Sequence, residues 1–128
     1  MNIKSSKELV NEANKLIKVM SPEQVKKAYD KDEITLIDVR DIRELWKEGT
    51  IKDAIHIPRG LIEFKLSPDS PNNPVNIDND TNILVYCAGG FRSALAAKTL
   101  SDMGFHNVFN IGGFQEWIDS GGEIQASP

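Results

Sequence analysis

The 128-residue sequence has few of the residues on which most protein chemistry depends. It contains one cysteine, Cys87, and two histidines, His56 and His106. A single cysteine excludes an intrachain disulfide, a C-x-x-C redox pair and a multi-cysteine zinc site, and two histidines make a metal centre a poor expectation. The sequence has no G-x-x-x-x-G-K-[ST] phosphate loop and no G-x-G-x-x-G fingerprint, so nucleotide-dependent chemistry lacks support. Any chemistry must therefore depend mainly on Cys87.

Long apolar runs are also absent, because no segment approaches the ~18 apolar residues of a membrane-spanning helix. The first eight residues are polar and show no signal-peptide hydrophobic stretch. We therefore expect no membrane partner and, with no disulfide to form, a cytoplasmic location. The net charge of −4 is uneven, since residues 1–31 carry seven lysines against four acidic residues and the remainder is acidic. Nucleic acid is not expected as a partner, because its binding requires a concentrated basic face.

What is present is the composition of a soluble globular protein, with 40% hydrophobic and 27% charged residues. Short apolar runs alternate with helical segments, which predicts a layered α/β domain with a largely parallel sheet. Residues 83–86 are apolar without alternation, as is typical of a strand covered on both faces. The predicted strands are residues 35–39, 54–57, 83–86 and 108–111.

The chain divides into an N-terminal helical extension, residues 1–20, and a main domain, residues 21–128. In the extension, residues 5–19 predict a helix that is capped by Ser5. The main domain is expected to begin with a helix that has Ser21 as its N-cap and Pro22 as its first residue. The apolar face of the first helix is expected to comprise Leu9, Ala13, Leu16, Ile17 and Met20.

Cys87 directly follows the clearest predicted strand, and small residues lead from it into a helix predicted from about Arg92 to Met103. Small residues allow successive backbone N–H groups to point inward and form an anion-binding nest. The helix directs its positive end at the same point, and Arg92 adds a permanent charge. We therefore expect the pKa of this thiol to lie below its usual ~8.5, which favours a nucleophile or covalent carrier. A buried cysteine of purely hydrophobic character is the alternative.

Four segments, in their order along the chain, resemble the conserved boxes of the rhodanese-like sulfurtransferase family. The resemblance covers roughly residues 20–122, and its boxes are residues 36–40, 49–58, 87–92 and 112–117. It implies a rhodanese-like three-layer α/β domain, with a central, mostly parallel sheet and helices on both faces. The segment that resembles the family's active-site loop, a cysteine followed by four residues and an arginine, consists of Cys87, Ala88, Gly89, Gly90, Phe91 and Arg92.

The resemblance implies a thiosulfate sulfurtransferase-type enzyme that needs no cofactor and no metal. The Cys87 thiolate would attack the sulfane sulfur of a thiosulfate-like donor and hold it as a persulfide. A thiol or cyanide, or a protein that accepts sulfur, would then remove it. The loop amides would stabilise the charge. The loop differs from the loops of several active family members, because it has no basic residue before Arg92. This difference affects which sulfur donor the site would prefer.

Further site residues follow from position, because ligands of open α/β sheets bind beyond the carboxyl ends of the strands. Arg59 is a candidate clamp for the substrate anion. Asp38 is expected to support the loop by orienting Arg92 or the loop backbone. The aromatic expectations are an apolar rim at Phe91, a pocket wall made by Phe64 with the proline-rich residues 67–82, and core positions for Trp46 and Trp117.

Three other functions use similar residues. Cysteine phosphatases and arsenate reductases also place a thiolate in an anion-binding loop, but such phosphatases have five residues between cysteine and arginine. Here the number is four, which suits a sulfur atom better than a phosphate. A regulatory binding module of the same fold, or a carrier that delivers sulfur to one partner protein without turnover, is compatible with the sequence.

Overall fold

The computed structural model describes residues 2–31, 34–71, 73 and 78–127, with the backbone alone for residues 30 and 31. The helices are α1 (Ser6–Leu16), α2 (Pro22–Lys31), α3 (Ile42–Glu48), α4 (Ile62–Lys65), α5 (Phe91–Met103) and α6 (Phe114–Asp119). The strands are β1 (Lys18–Val19), β2 (Ile34–Asp38), β3 (Thr50–Ile51), β4 (Ile55–His56), β5 (Asn82–Cys87), β6 (Asn107–Gly113) and β7 (Ile124–Gln125).

Five of the described strands form one sheet in the order β1-β6-β5-β2-β4, and every neighbouring pair in it is parallel. This confirms the largely parallel α/β sheet predicted from the sequence. β3 and β7 lie outside the sheet and pair with each other antiparallel. This pair could not be predicted from the sequence, because strands of two residues are too short to show a hydrophobic period.

The central strand β5 has apolar side chains on both of its faces. Ile83, Val85 and Cys87 belong to the core cluster that includes residues of α4 and α5. Leu84 and Tyr86 belong to the opposite cluster, which includes residues of α2 and α6. Successive residues of a strand point to opposite faces, so an uninterrupted apolar run is required when helices cover both. The three-layer architecture is thereby confirmed.

The N-terminal extension is only partly helical, so the helix predicted over residues 5–19 is too long. Ser5 caps α1 as predicted, because its Oγ accepts from the Glu8 amide at 3.1 Å. The helix ends at Leu16, and Ile17 has extended backbone. The next two residues form β1 and pair with β6 at the edge of the sheet. An open sheet edge leaves backbone groups unpaired, and β1 covers the edge of β6 at Phe109 and Asn110.

The buried face of α1 also differs from the prediction. Val10 and Ala13 are buried and cluster with Ala94 of α5, whereas Leu9 and Leu16 are largely exposed. The helix therefore packs on small side chains of another helix, and this contact needs a narrower apolar stripe than packing on a sheet.

The position of one tryptophan was predicted wrongly. Trp117 is buried in α6 as expected, and its Nε1 donates to the Glu123 carbonyl at 2.9 Å. Trp46 of α3 is 61% exposed, because α3 has only seven residues and buries Leu45 instead. Among the described residues, no helix combines the length and the apolar character that crossing a membrane would require.

Candidate active site

Cys87 is the last residue of β5, at the carboxyl edge of the parallel sheet. Its side chain is 1% exposed, and it lies beneath a turn in which Ala88 and Gly89 face solvent. The turn ends at Gly90, whose φ of 90° is in the left-handed region that favours glycine. α5 begins at the next residue, so its positive end adjoins the sulfur, as the sequence predicted.

Hydrogen bonds converge on the Cys87 sulfur. The Gly90 amide donates to Sγ at 3.0 Å, and the Ser93 hydroxyl lies 3.4 Å from Sγ. Burial raises the pKa of the Cys87 thiol, but hydrogen bonds from Ser93, Gly89 and Gly90 outweigh this effect and leave the pKa below its ordinary value. The direction agrees with the sequence-based expectation. The site therefore favours a thiolate, the nucleophilic form of cysteine.

The end of β6 packs directly against the loop, and two glycines make this possible. A Cβ at Gly113 would lie 2.5 Å from the Ala88 carbonyl oxygen, and a Cβ at Gly90 would lie 3.4 Å from the Cα of Gly112. Any side chain at Gly113 would therefore displace the loop. Gly90 and Gly113 thus allow the close contact between the end of β6 and the loop above the sulfur.

Arg92 is held from a neighbouring helix. Its Nη1 and Nη2 donate to the two carboxylate oxygens of Glu44 in α3, at 2.8 and 3.0 Å. The hydrogen bonds from Arg92 lower the pKa of Glu44. The pKa of Arg92 is raised by Glu44 and, to a smaller extent, by the Cys87 charge. The guanidinium thus lies close enough to Cys87 to sense its charge, but it already has a carboxylate partner.

Asp38 does not contact Arg92 as was expected. Its carboxylate accepts from Arg40, with Nη2 at 2.8 Å and the backbone amide at 3.0 Å, and from the Thr50 hydroxyl at 2.9 Å. Both Asp38 and Arg40 are fully buried. Because a buried carboxylate requires nearby donors, the arginine two residues along the chain takes this position. The prediction that Asp38 orients Arg92 is therefore wrong, and the hydrogen bonds described for its carboxylate join Arg40 and Thr50 instead of the loop backbone.

Arg59 is also directed away from the loop. Its guanidinium donates to Glu63 at 2.9 Å and to the Thr99 hydroxyl at 3.1 Å. Thr99 lies eight residues along α5 from Phe91, which corresponds to about 12 Å at 1.5 Å per residue. These contacts hold the Arg59 guanidinium beside Thr99, about two helical turns from the start of α5, and so do not favour the expected clamp on the substrate anion.

The aromatic and proline-rich expectations have mixed outcomes. Phe91, the first residue of α5, is 66% exposed and forms an apolar rim beside the loop. Phe64 is 71% exposed on α4. Pro68, in the proline-rich segment, lines a cavity with Met103 and Phe105. This cavity lies at the end of α5 that is far from Cys87. The prediction that the segment walls the active-site pocket is therefore wrong for Pro68. Pro74, which belongs to the same expectation, lies outside the described residues.

Sequence reasoning missed three residues that surround the sulfur. Glu44 binds Arg92, Ser93 contacts Sγ, and Asn110 of β6 accepts from the Ser93 hydroxyl at 2.7 Å. Ser93 directly follows Arg92. A hydroxyl at the start of the helix that follows the cysteine could have predicted a hydrogen bond to the sulfur. Glu44 and Asn110 lie far from Cys87 in sequence, and nothing local marks them. Within the described residues, no group of three or more potential metal ligands occurs together.

Residues 21–120 match the family model of the Rhodanese-like domain. The chain belongs to this family. The sulfurtransferase of Allochromatium vinosum is 32% identical to the rhodanese-like chain over 98 residues, which are 76% of this chain and 83% of that protein.

Two further relatives of the rhodanese-like chain have other descriptions. YrkF of Bacillus subtilis, provisionally named a sulfur carrier protein, is 35% identical over 100 residues, 77% of this chain. The match covers 49% of YrkF, so the chain spans about half of that relative's length. The solved structure of RPA3614 from Rhodopseudomonas palustris, a protein of unknown function described as a possible tyrosine phosphatase, has a TM-score of 0.86 and 35% identity. That alignment covers 98% of this chain and 97% of RPA3614.

Proposed function

We propose that this chain is a sulfurtransferase that carries a sulfane sulfur on Cys87 as a persulfide. The observation that carries the proposal is the environment of the sulfur, which receives the Gly90 amide at 3.0 Å and lies 3.4 Å from the Ser93 hydroxyl. Relatives that are named a sulfurtransferase and a sulfur carrier support sulfur as the transferred atom. The loop amides supply donors to an anionic sulfur without any titration of their own.

The reaction with a thiosulfate-like donor has two displacement steps. In the first, the Cys87 thiolate attacks the sulfane sulfur, an S–S bond forms, and the bond to the sulfite group breaks with its electron pair leaving on sulfite. The products are the persulfide anion of Cys87 and sulfite, so no net proton transfer is needed. In the second, cyanide or a thiolate attacks the outer sulfur, and the electron pair of the broken S–S bond returns to Cys87. No general acid or base is required, because sulfite and the low-pKa Cys87 thiolate are both weakly basic leaving groups.

The charge around the loop bears on the donor. Arg92 is paired with Glu44 through two hydrogen bonds, so its positive charge is largely compensated before a donor arrives. Donor binding then rests on the loop amides and on the positive end of α5, which favour a small anion with modest affinity. We propose thiosulfate as a usable donor, and mercaptopyruvate and other persulfides as the alternatives.

A sulfur carrier that serves a protein acceptor is the second candidate, and one surface feature favours it. A groove of about 350 Å³ runs beside the loop, between Phe91 and Gly112 on one side and Asn14 and Val19 of the N-terminal extension on the other. Val19 and Phe91 are both exposed there. An exposed apolar border beside a reactive sulfur suits a docked polypeptide better than cyanide.

The phosphatase alternative has weaker support. Four residues separate Cys87 from Arg92, whereas phosphatases of this kind use five. The guanidinium that a phosphate would need is bound by Glu44. We therefore expect no hydrolysis of p-nitrophenyl phosphate under conditions in which sulfur is transferred.

Thiocyanate formation from thiosulfate and cyanide tests the proposal. The wild-type protein is expected to produce thiocyanate, and Cys87→Ser is expected to lose this activity while it keeps the fold. Arg59→Ala serves as a control, since its guanidinium is bound by Glu63 and Thr99, about two helical turns from the start of α5. Activity that persists in Cys87→Ser would contradict the proposal. A stoichiometric persulfide that cyanide removes only slowly, but that a protein thiol discharges readily, would favour the carrier.

A further inference from the structure

The side chain of Asn110 is buried in β6 and faces the active-site loop from the neighbouring strand. Its Oδ1 accepts from the Ser93 hydroxyl at 2.7 Å and from the Gly112 amide at 3.1 Å. Its Nδ2 donates to the Gly90 carbonyl at 3.1 Å. All of these partners belong to the loop, to the first turn of α5 or to the strand end that packs on the loop. Nothing in the proposed chemistry has so far given this amide a role.

The partners of Asn110 are the groups that contact the sulfur. Ser93 places its Oγ 3.4 Å from Cys87 Sγ, and Gly90 donates its amide to Sγ at 3.0 Å. The Asn110 carboxamide therefore binds both residues that contact the sulfur. Its oxygen accepts from the Ser93 hydroxyl, and its nitrogen donates to the carbonyl of Gly90. A single buried group with both a donor and an acceptor can fix two partners of opposite type, which neither a carboxylate nor an apolar side chain can do.

The hydroxyl of Ser93 has one proton and two neighbours that can accept it. Beside a neutral thiol, it donates to Asn110 at 2.7 Å and can accept from the S–H group. Beside a thiolate, it can rotate about its C–O bond and donate to Sγ. Asn110 Oδ1 keeps the Gly112 amide as donor in either state. The exchange therefore leaves no buried polar atom without a partner, and its cost is the hydrogen bond from Ser93 to Asn110.

We propose that Asn110 is a positioning residue for the sulfur chemistry, which sets the Ser93 hydroxyl and the Gly90 amide so that both stabilise an anionic sulfur on Cys87. The proposal rests on the proposed function in assigning that anion to the thiolate and the persulfide. An aspartate here would be nearly isosteric, but it would lack the donor to Gly90, hold the Ser93 proton more strongly and bring a second negative charge to the sulfur.

Charged groups on the surrounding elements also act on the sulfur and must stay unchanged in any test. Arg92 lies on α5 beside Cys87, and Glu44 on α3 binds Arg92. Glu116 on α6 accepts from the Gly113 amide at 3.2 Å, next to the packed strand end. None of the substitutions below alters these three side chains.

The test is the pH dependence of the rate at which iodoacetamide alkylates Cys87, followed by intact-protein mass. We expect Asn110→Asp and Ser93→Ala to alkylate about threefold more slowly than wild type at neutral pH, with the midpoint of the rate profile shifted upward by about one pH unit. Ser93→Thr restores a hydroxyl at the same place and is expected to keep the wild-type midpoint.

Asn107→Asp is the matched control, because Asn107 lies three residues earlier in β6 and its side chain donates to the Asp80 carbonyl, away from the loop. We expect its alkylation profile to equal that of wild type. If Asn110→Asp does not fold, Asn110→Ser decides the question, since it removes the donor to Gly90 without adding charge and is expected to raise the midpoint in the same direction.

A wild-type midpoint in a folded Asn110 variant would overturn the inference, and so would an equal shift in Asn107→Asp. Alkylation needs no sulfur donor, so the outcome is separate from that of the proposed function. A wild-type protein that takes up no sulfur would contradict the proposed function, whereas the midpoints alone decide whether Asn110 positions the groups that stabilise the thiolate.

Discussion

Removing the carboxylate of Asp38 should destabilise the domain strongly. Asp38 and Arg40 are both fully buried, and Arg40 donates to the Asp38 carboxylate from Nε, Nη2 and its backbone amide. The Arg40 guanidinium also lies 4.2 Å from the centre of the Phe114 ring. In Asp38→Leu this charge would stay in the core with Glu48, which is half exposed, as its remaining ionic partner. Loss of one partner of a buried pair costs about 3–5 kcal/mol.

The expected loss is a large part of the stability of such a domain, which is typically ~5–15 kcal/mol. It corresponds to a fall in melting temperature of about 10–20 °C for a chain of this size. Urea unfolding followed by tryptophan fluorescence measures the loss directly, because Trp117 is buried. The double substitution Asp38→Leu/Arg40→Met removes both charges and is expected to be more stable than Asp38→Leu alone.

The chain supplies its own control for this experiment. Arg43 binds Asp41 with the same spacing of two residues, but Arg43 is 81% exposed. Arg43→Ala is therefore expected to leave the urea midpoint unchanged within error. A loss of less than about 1 kcal/mol in Asp38→Leu, or an equal loss in Arg43→Ala, would refute the reasoning that the buried pair stabilises this end of the sheet.

Four further outcomes are expected. Glu44→Gln removes the carboxylate that compensates the Arg92 charge and should speed persulfide formation several-fold, measured by stopped-flow with thiosulfate; an unchanged rate would show that this pair does not govern donor binding. Arg59→Ala should leave the donor KM unchanged, and a raised KM would show that Arg59 binds the substrate anion after all. Gly113→Ala should impair cyanolysis in a folded protein, and full activity would mean that the loop tolerates displacement. The alkylation rate of Cys87 should fall on acidification through a midpoint below the ordinary cysteine pKa, because protonation removes the thiolate; a midpoint at or above it would contradict the hydrogen-bond argument.

The general architecture and the position of the nucleophile could be predicted from the sequence because both have local causes. The apolar run without alternation in β5 predicted burial on both sides, and small residues after Cys87 predicted the turn. Gly104, for example, has a φ of 110° at the end of α5, as its place after the predicted helix required.

The side-chain partners could not be predicted in the same way, because they join segments that are distant in sequence. Glu44 reaches Arg92 across 48 positions, and Asn110 reaches Gly90 across 20. Asp38 and Arg59 were assigned by their places at strand ends, but each has a nearer partner, Arg40 for Asp38 and Glu63 for Arg59. The position of a residue along a strand predicts the edge of the sheet at which it lies, and does not predict which side chain will satisfy its charge.

The central claim is that Cys87 carries sulfur, and intact-protein mass spectrometry tests it most directly. The protein is incubated with thiosulfate, measured, treated with cyanide and measured again, with Cys87→Ser in parallel. We expect the wild type to gain the mass of one sulfur atom, to lose it to cyanide as thiocyanate, and the serine variant to show neither change. A wild-type mass that stays constant with thiosulfate, mercaptopyruvate and small persulfides, while the thiol still reacts with iodoacetamide, would contradict the account.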